Sequence, residues 1–336
     1  MKNVIYYIAK YIGLFALARL MTKRRLRILC YHGFSYNDEY LFRPKLYMRP
    51  SLFESRMAIL KQTGLPVLEL GKAVEKLSDG TLPDNAVVIT IDDGWAGVKD
   101  FAAPILAEYQ FPWTLYLTTY YVQHRLQVVN LMIQYIFWKT TRSVFDYSEL
   151  GDDFRDIRNL TVDDLSDTFL QKLVGYIDQQ DVAHRQDLLR KIGDIMGVDV
   201  RGLEQQKMFT LIDCDQARAL DSAGVDMQLH THRHTVGGID QTKLIQEIQD
   251  NRAVMEKICQ EIPDHFCYPS GYYAPEHIGW LEDLGIRSAT TCEPGLNDHQ
   301  TNPLALNRFL DGENISQIEF EAELSGFSEI LRGLKR

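Results

Sequence analysis

Two short runs of acids and histidines could carry chemistry in this chain. The first is Asp92-Asp93, which follows Val87-Val88-Ile89-Thr90-Ile91 and precedes Gly94-Trp95. The second is His230-Thr231-His232-Arg233-His234. Adjacent carboxylates at the mouth of an apolar strand are costly unless they hold a cation or react. Side chains alternate along a strand, so Asp92 and Asp93 point in different directions. One can bind a cation while the other stays free as a base. His230 and His234 are four apart and would share one side of a helical turn, where both can ligate one cation. If the chain stays extended, His230, His232 and His234 share a face instead; spacing alone leaves both readings open. Two histidines and one carboxylate leave open positions for water. Such a site lowers the pKa of bound water towards about 7 and polarises a carbonyl oxygen. Each run alone has a plainer reading, an acidic turn or a polar loop. Both at strand ends of one fold point to a hydrolytic metal site.

The elements around these runs must place them together. Residues 87–91 read as a strand buried on both faces. Residues 27–32 (RILCYH) read as a first strand ending at His32. Residues 51–63 are helical, with Gly64 as a stop. Then come a short strand at 66–70, a helix at 72–77, a helix near 98–109 and a strand at 112–119. The rhythm breaks from 121 to 210. There VVNLMIQYIFWKTT, a capping box at 161–164 ahead of DLSDTFLQKLVGYI, and VAHRQDLLRKIGDIMG read as an all-helical insertion. The alternation returns at 211, with strands at 225–230, 265–271, 287–292 and 304–310. About eight short strands alternating with helices predict a distorted βα barrel, whose site lies at the C-terminal strand ends. The acids, the histidines and Tyr268-Pro269 all fall at such ends. The predicted organisation is an N-terminal segment 1–26, a barrel from 27–120 and 211–315, the insertion 121–210, and a C-terminal helix in 316–336.

The chain has 336 residues, 45% of them apolar, and a net charge of −10. Residues 1–27 hold seven basic residues and no acid, which leaves −17 on the remainder. An acidic body disfavours nucleic acid as a partner. The N-terminus is basic and apolar, and favours an anionic membrane surface. Residues 4–21 are interrupted by Lys10 and Arg19, so a long uncharged spanning run is missing. The expectation is an interfacial helix on the cytoplasmic face of the inner membrane. An exported or signal-anchored form, with Ala16-Leu17-Ala18 as a cleavage site, and a plain packed helix are the alternatives. Five scattered cysteines argue against a disulfide framework and for a reducing compartment.

Thr90-Ile91-Asp92-Asp93-Gly94 matches the T-F-D-D-G motif of the polysaccharide deacetylases, with Ile91 in place of Phe. His230-Thr231-His232-Arg233-His234 matches their H-S/T-x-x-H. Phe266-Cys267-Tyr268-Pro269-Ser270-Gly271 resembles their third motif, F-x-Y-P-x-G. Over residues 27–120 and 211–310 the sequence resembles carbohydrate esterase family 4 with its NodB homology domain. Residues 28–32 resemble the first strand of the branch that acts on poly-N-acetylglucosamine. The resemblance implies a distorted seven- to eight-stranded βα barrel. It implies Asp92 as general base and Asp93, His230 and His234 as ligands of a divalent metal: zinc first, then cobalt, nickel or iron. It implies Trp95, Tyr268, Pro269 and Gly271 along the sugar groove, with a backbone N–H near Tyr268 for the oxyanion.

Two positions depart from the family pattern. No histidine follows His299, so the late histidine acid is missing, and His32 or a protonated Asp92 is expected to replace it. Cys267 stands where many members carry an arginine, and Arg308 is expected to supply that charge, with a structural salt bridge as its plainer role. The expected activity is metal-dependent de-N-acetylation of an amino sugar in a glycan or glycolipid precursor. An O-acetyl esterase, a non-catalytic glycan-binding relative and a structural metal site are the rivals. The oligomeric state is left open.

Overall fold

Seven parallel strands form the sheet that carries these residues: β1 (Arg27–Tyr31), β2 (Val87–Asp93), β3 (Thr114–Leu117), β4 (Asp226–Leu229), β5 (His265–Cys267), β6 (Ser288–Thr290) and β7 (Phe309–Leu310). Their order is β6-β5-β4-β3-β2-β1-β7. The computed structural model describes residues 2–148, 150–161, 164–236 and 240–334. β1 and β2 are buried at every position, as continuous apolar strands between helical layers must be. The sheet curls: Leu306 bridges Thr290 of β6, while Phe309 and Leu310 pair with Leu29 and Cys30 of β1. The last segment thus touches both edges, in the half-barrel expected of a (β/α) deacetylase-type fold.

The chain divides into two compact units, one of Met1–Ser35, Glu39–Gln123 and Ile212–Arg336, the other of Tyr36–Asp38 and His124–Leu211. The second holds the helices Val129–Lys139, Asp167–Asp178, Val182–Met196 and Val200–Gln205. One antiparallel ladder, Val144–Phe145 with Leu160–Thr161, accompanies them. Two residues a side are too few to show as alternation in a sequence. The expected capping box at 161–164 includes residues 162–163, which lie outside the described ones. Asp164 accepts from Thr161 N–H at 2.8 Å, and it is Ser166 that caps the helix Asp167–Asp178.

Three sequence readings need correction in the first unit. Residues 66–70 make a single bridge, Val67 with Val87, rather than a strand; Pro66 has no N–H to extend a ladder. In the segment 304–310 only Phe309–Leu310 pairs as a strand, beyond the bridge at Leu306. The C-terminal segment forms two helices, broken at Gly326, whose φ is +77°.

Helices α1 (Lys2–Tyr11) and α2 (Leu14–Met21) open the chain. Among the described residues no single helix is long and apolar enough to cross a membrane; α1 and α2 pass only as a pair, bent by 85°. α3 (Pro50–Thr63) starts on Pro50 and stops at Gly64 in the left-handed region. α4 (Gln241–Met255) packs beside β4, and α5 (Gln317–Leu324) and α6 (Phe327–Gly333) close the chain.

A buried ion pair ties α3 to the end of β7. Arg56 Nε lies 3.0 Å from Asp311 Oδ2, and Arg56 Nη2 donates to Ile315 O at 2.6 Å. Burial pushes the Asp311 carboxyl up to about 6, with Arg56 offsetting only part of the cost. A folded pKa above the unfolded value means that this group's stabilisation is complete below about pH 4 and is lost as pH rises through 6. Asp311→Asn removes the titration. The wild-type-minus-variant difference in unfolding free energy should therefore fall between about pH 4 and 7, by up to about 3 kcal/mol. Denaturant melts across that range measure it, and a flat difference would refute the assignment.

Candidate active site

β2 ends by presenting its two acids to different surroundings. Thr90 and Asp92 lie on one face of the strand, towards Arg308. The guanidinium grips Asp92 at both oxygens, Nη1 to Oδ1 and Nη2 to Oδ2, each at 2.7 Å. Its remaining donors reach Thr90 Oγ1 at 3.1 Å and Thr291 O at 2.8 Å. Two thiols complete the surroundings of Asp92 Oδ2, Cys267 Sγ at 3.4 Å and Cys30 Sγ at 3.6 Å. Burial raises the Asp92 carboxyl, but the Arg308 guanidinium reverses this and holds it down at about 2. His32 Nε2 stands 3.7 Å from Asp92 Oδ2, beyond hydrogen-bond length. Burial lowers the His32 pKa, against the pull of Asp92 and Asp93.

Asp93 faces the other way, with φ at +73° and Gly94 after it at +93°. Trp95 Nε1 donates to Asp93 Oδ2 at 2.7 Å. This leaves Oδ1, which lies 3.2 Å from His230 Nε2 and 3.2 Å from His234 Nε2. Ligand atoms of Asp93, His230 and His234 all fall within 4.8 Å of one another.

β4 delivers the histidines, and α4 fixes where the strand stops. Asn251, fully buried on α4, accepts from His230 N–H at 2.9 Å and donates to Leu117 O and Thr119 Oγ1. Thr231 then adopts φ +61° and His234 φ +57°. The run is therefore a turn, and His230 and His234 meet with ring centroids 4.9 Å apart. His232 turns away, its Nδ1 2.9 Å from Thr119 Oγ1. Three histidines on one extended face, the other reading of the spacing, are not found.

The donor set can be tested for a cation. His230 Nδ1 is 2.9 Å from Cys267 O, a carbonyl that can only accept. Nδ1 therefore carries the proton, and in the neutral ring Nε2 presents a lone pair to the Asp93 carboxylate. Two lone pairs at 3.2 Å repel unless a proton or a cation lies between them. Burial lowers the His230 pKa, but the Asp93 hydrogen bond, the charges of Asp92 and Asp93 and the Cys267 carbonyl together raise it. Two imidazoles and one carboxylate, oriented by partners on their far atoms, fit a divalent ion.

The third motif is placed differently from expectation. Tyr268 is buried, and its hydroxyl donates to Leu304 O at 3.0 Å. Its N–H donates to Thr290 O at 3.1 Å, and the Gly271 N–H to Tyr268 O at 2.8 Å. Neither N–H is left for an oxyanion. Pro269 is buried. Gly271 has φ +68°, and a Cβ there would lie 2.4 Å from Cys292 Cβ, so the position needs glycine for packing. Trp95 is only 5% exposed and spends its one polar group on Asp93 rather than on a sugar. The exposed aromatics of this segment are Tyr272 and Tyr273, the latter 5.4 Å from the Tyr268 ring. Asn251 was not singled out from the sequence. Its signal is a polar residue on the apolar stripe of α4, among Leu244, Ile248 and Met255.

No curated protein matches the chain by sequence. Several solved structures share its fold. The Streptococcus pyogenes deacetylase PplD, solved in complex with acetate, is 18% identical with a TM-score of 0.56, covering 90% of this chain and 99% of that one. IcaB from Ammonifex degensii is 15% identical with a TM-score of 0.55, covering 91% and 97%. A de-N-acetylase from Aggregatibacter actinomycetemcomitans is 14% identical with a TM-score of 0.53, covering 89% and 99%. At these identities the likeness is one of fold. By sequence, the polysaccharide deacetylase profile matches residues 79–137 and 155–289, more than half of the chain. With the two motif runs inside that match, the chain belongs to the polysaccharide deacetylase family of hydrolases.

Proposed function

We propose that this chain is a metal-dependent de-N-acetylase of an N-acetylated amino sugar, carried in a polysaccharide or a lipid-linked glycan precursor. The observation that carries the reading is the convergence of Asp93, His230 and His234 beside an ionised Asp92 gripped by Arg308. Asp93, His230 and His234 would hold the ion; two nitrogens and one oxygen suit zinc, with cobalt, nickel or iron as alternatives. Such an ion supplies Lewis-acid polarisation of the acetamide carbonyl and acidification of a water.

The protein's own groups then manage the protons. Water adds to the carbonyl carbon, and Asp92 takes its proton. A carboxylate held at about 2 is a weak base, so it accepts only from a strongly acidified water. The amide C–N bond breaks as the nitrogen gains a proton, from Asp92 or through His32 beside it. Acetate and the free amine leave. This proton return favours an amide over an ester, since an amine cannot leave as an anion while an alkoxide leaves more readily. The basic run Lys23-Arg24-Arg25 after the apolar helices supports a location on the cytoplasmic side of the inner membrane.

Metal content and acetate release from N-acetylated oligosaccharides test the two roles. Wild type should hold about one divalent ion. Asp92→Asn should keep it and lose kcat by about 10²–10⁴-fold. His234→Ala should lose both metal and activity. A wild type that binds metal but frees no acetate from any amide would favour the glycan-binding reading.

His32→Gln separates the acid from the base. It should keep the metal and slow amide hydrolysis by at least about tenfold, yet spare an activated aryl ester whose leaving group needs no proton. Equal loss on both substrates would remove His32 from the acid role.

Arg308→Lys tests what sets the Asp92 pKa. The lysine keeps one charge but loses the two-pronged grip. The Asp92 carboxyl should rise, and the acid limb of the kcat/KM profile should move to higher pH. An unmoved limb in a folded, metal-loaded variant would show that Arg308 serves structure alone.

A further inference from the structure

We infer that the α1–α2 pair docks on an anionic phospholipid membrane, with a headgroup phosphate received in the cleft between Arg19 and Lys23. One face of the pair is fixed to the body. Tyr6, Ala9, Phe15 and Ala18 pack on Ile318, Ala322 and Phe327 of α5 and α6. Lys2 lies 2.8 Å from Glu319, and Lys10 pairs with Glu321. The opposite face is apolar and open. Ile5, Ile8, Tyr11, Ile12, Leu17 and Leu20 are each more than half exposed. Gly13, at φ +83°, sits where the chain bends by 85° between the two helices, and both carry exposed apolar residues. Exposed apolar side chains gathered in one short segment mark an interaction surface.

A polar feature beside this face says what covers it. A cleft of about 350 Å³ is lined by Ala16, Arg19, Leu20, Lys23, Asp84 and Asn85. Among the described residues, Arg19 Nε is buried without a hydrogen-bond partner, and so is Asn85 Oδ1. Lys23 Nζ lies 3.4 Å from Asp84 Oδ2. Of the charged side chains that line the cleft, two are basic, Arg19 and Lys23, and one is acidic, Asp84. A buried guanidinium donor left unpaired is costly, and an anionic oxygen would satisfy it. A headgroup hydroxyl would donate to Asn85 Oδ1. Leu20 belongs to both the cleft and the open face, so phosphate and acyl chains would be engaged side by side, as for a helix lying in the headgroup layer. A second copy of this chain fits less well, because a two-fold contact through this face would bring the same basic cleft against itself.

The test uses the full chain and vesicles of phosphatidylcholine with or without phosphatidylglycerol. Wild type should sediment with the anionic vesicles, stay in solution with the neutral ones, and come off with high salt or alkaline carbonate. Arg19→Gln with Lys23→Gln should weaken the anionic binding by at least about tenfold, each basic side chain near the surface being worth about 1 kcal/mol. Ile8→Ser with Leu17→Ser should weaken it as well. All four positions lie far in the chain from the acids and histidines, so acetate release from a soluble oligosaccharide and the melting temperature should hold. That separates this inference from the hydrolase reading. The inference is overturned if wild type ignores the anionic vesicles, or if the double charge variant binds them as well as wild type. Resistance to carbonate would make the segment a spanning one. Stabilisation by inorganic phosphate without vesicle binding would make the cleft a free-anion site. Either overturns the membrane assignment.

Discussion

The Asp92–Arg308 pair is the constraint around which the rest of the site is arranged. Both side chains are almost wholly buried, at 2% and 0% exposure. Removing two charges from water costs more than their attraction usually returns, so stability alone is a weak account of such a pair. Its geometry is nonetheless complete: both carboxylate oxygens are held, and the guanidinium finds Thr90 and the Thr291 carbonyl. The other neighbours are thiols. Burial pushes Cys30, Cys267 and Cys292 up, so they stay neutral and place no competing charge beside Asp92. The carboxylate is thereby ionised and fixed, and one of its oxygens lies within 4.8 Å of a ring nitrogen of His230.

The small third-motif residue explains how the charge arrives. Cys267 leaves room on β5, and Arg308 Nη2 lies 3.1 Å from its sulfur. The guanidinium comes from the residue before β7, a segment that Leu306 ties to β6 and Phe309 to β1. An arginine on β5 would compete for that volume. The same position can thus be filled by a charge from another strand, because a curled parallel sheet points several strands at one interior point.

Much of the site was legible because its chemistry lies in residue types at fixed spacing. Asp92-Asp93 after a β-branched run and His230–His234 four apart are unusual enough to stand out, and the alternation of strands and helices located their ends. What was not legible depends on where a side chain spends its polar atoms. Trp95 and Tyr268 look like sugar platforms beside a motif, yet both are buried and give their donors to Asp93 and Leu304. An aromatic's direction is a packing outcome, invisible to spacing. The backbone N–H of Tyr268 was lost to the same cause, since the ladder to β6 uses it. Short pieces also escaped: the two-residue ladder at Val144 and the helix break at Gly326 fall below the length at which periodicity speaks.

The end of β4 shows how the ligand pair is made. A strand continues only while its N–H groups find ladder partners. At His230 that N–H is taken by Asn251 Oδ1 from α4, and the ladder stops. Thr231 then enters the left-handed region, where a β-branched residue is strained by roughly 1–3 kcal/mol. Its hydroxyl accepts from Thr235 N–H at 3.1 Å, closing the turn that the strain opens. His232 is held outward by Thr119, itself bonded to Asn251. One buried amide therefore ends the strand, turns the middle histidine away and brings His234 back to His230. Asp93 is strained in the same sense, at φ +73°, and is held by Trp95 and by the Thr118 N–H on its carbonyl. Strain on the strands from both sides of the ligand cluster persists only where neighbours over-determine it. These neighbours do so while leaving the facing atoms, Asp93 Oδ1 and the two Nε2, turned towards one another.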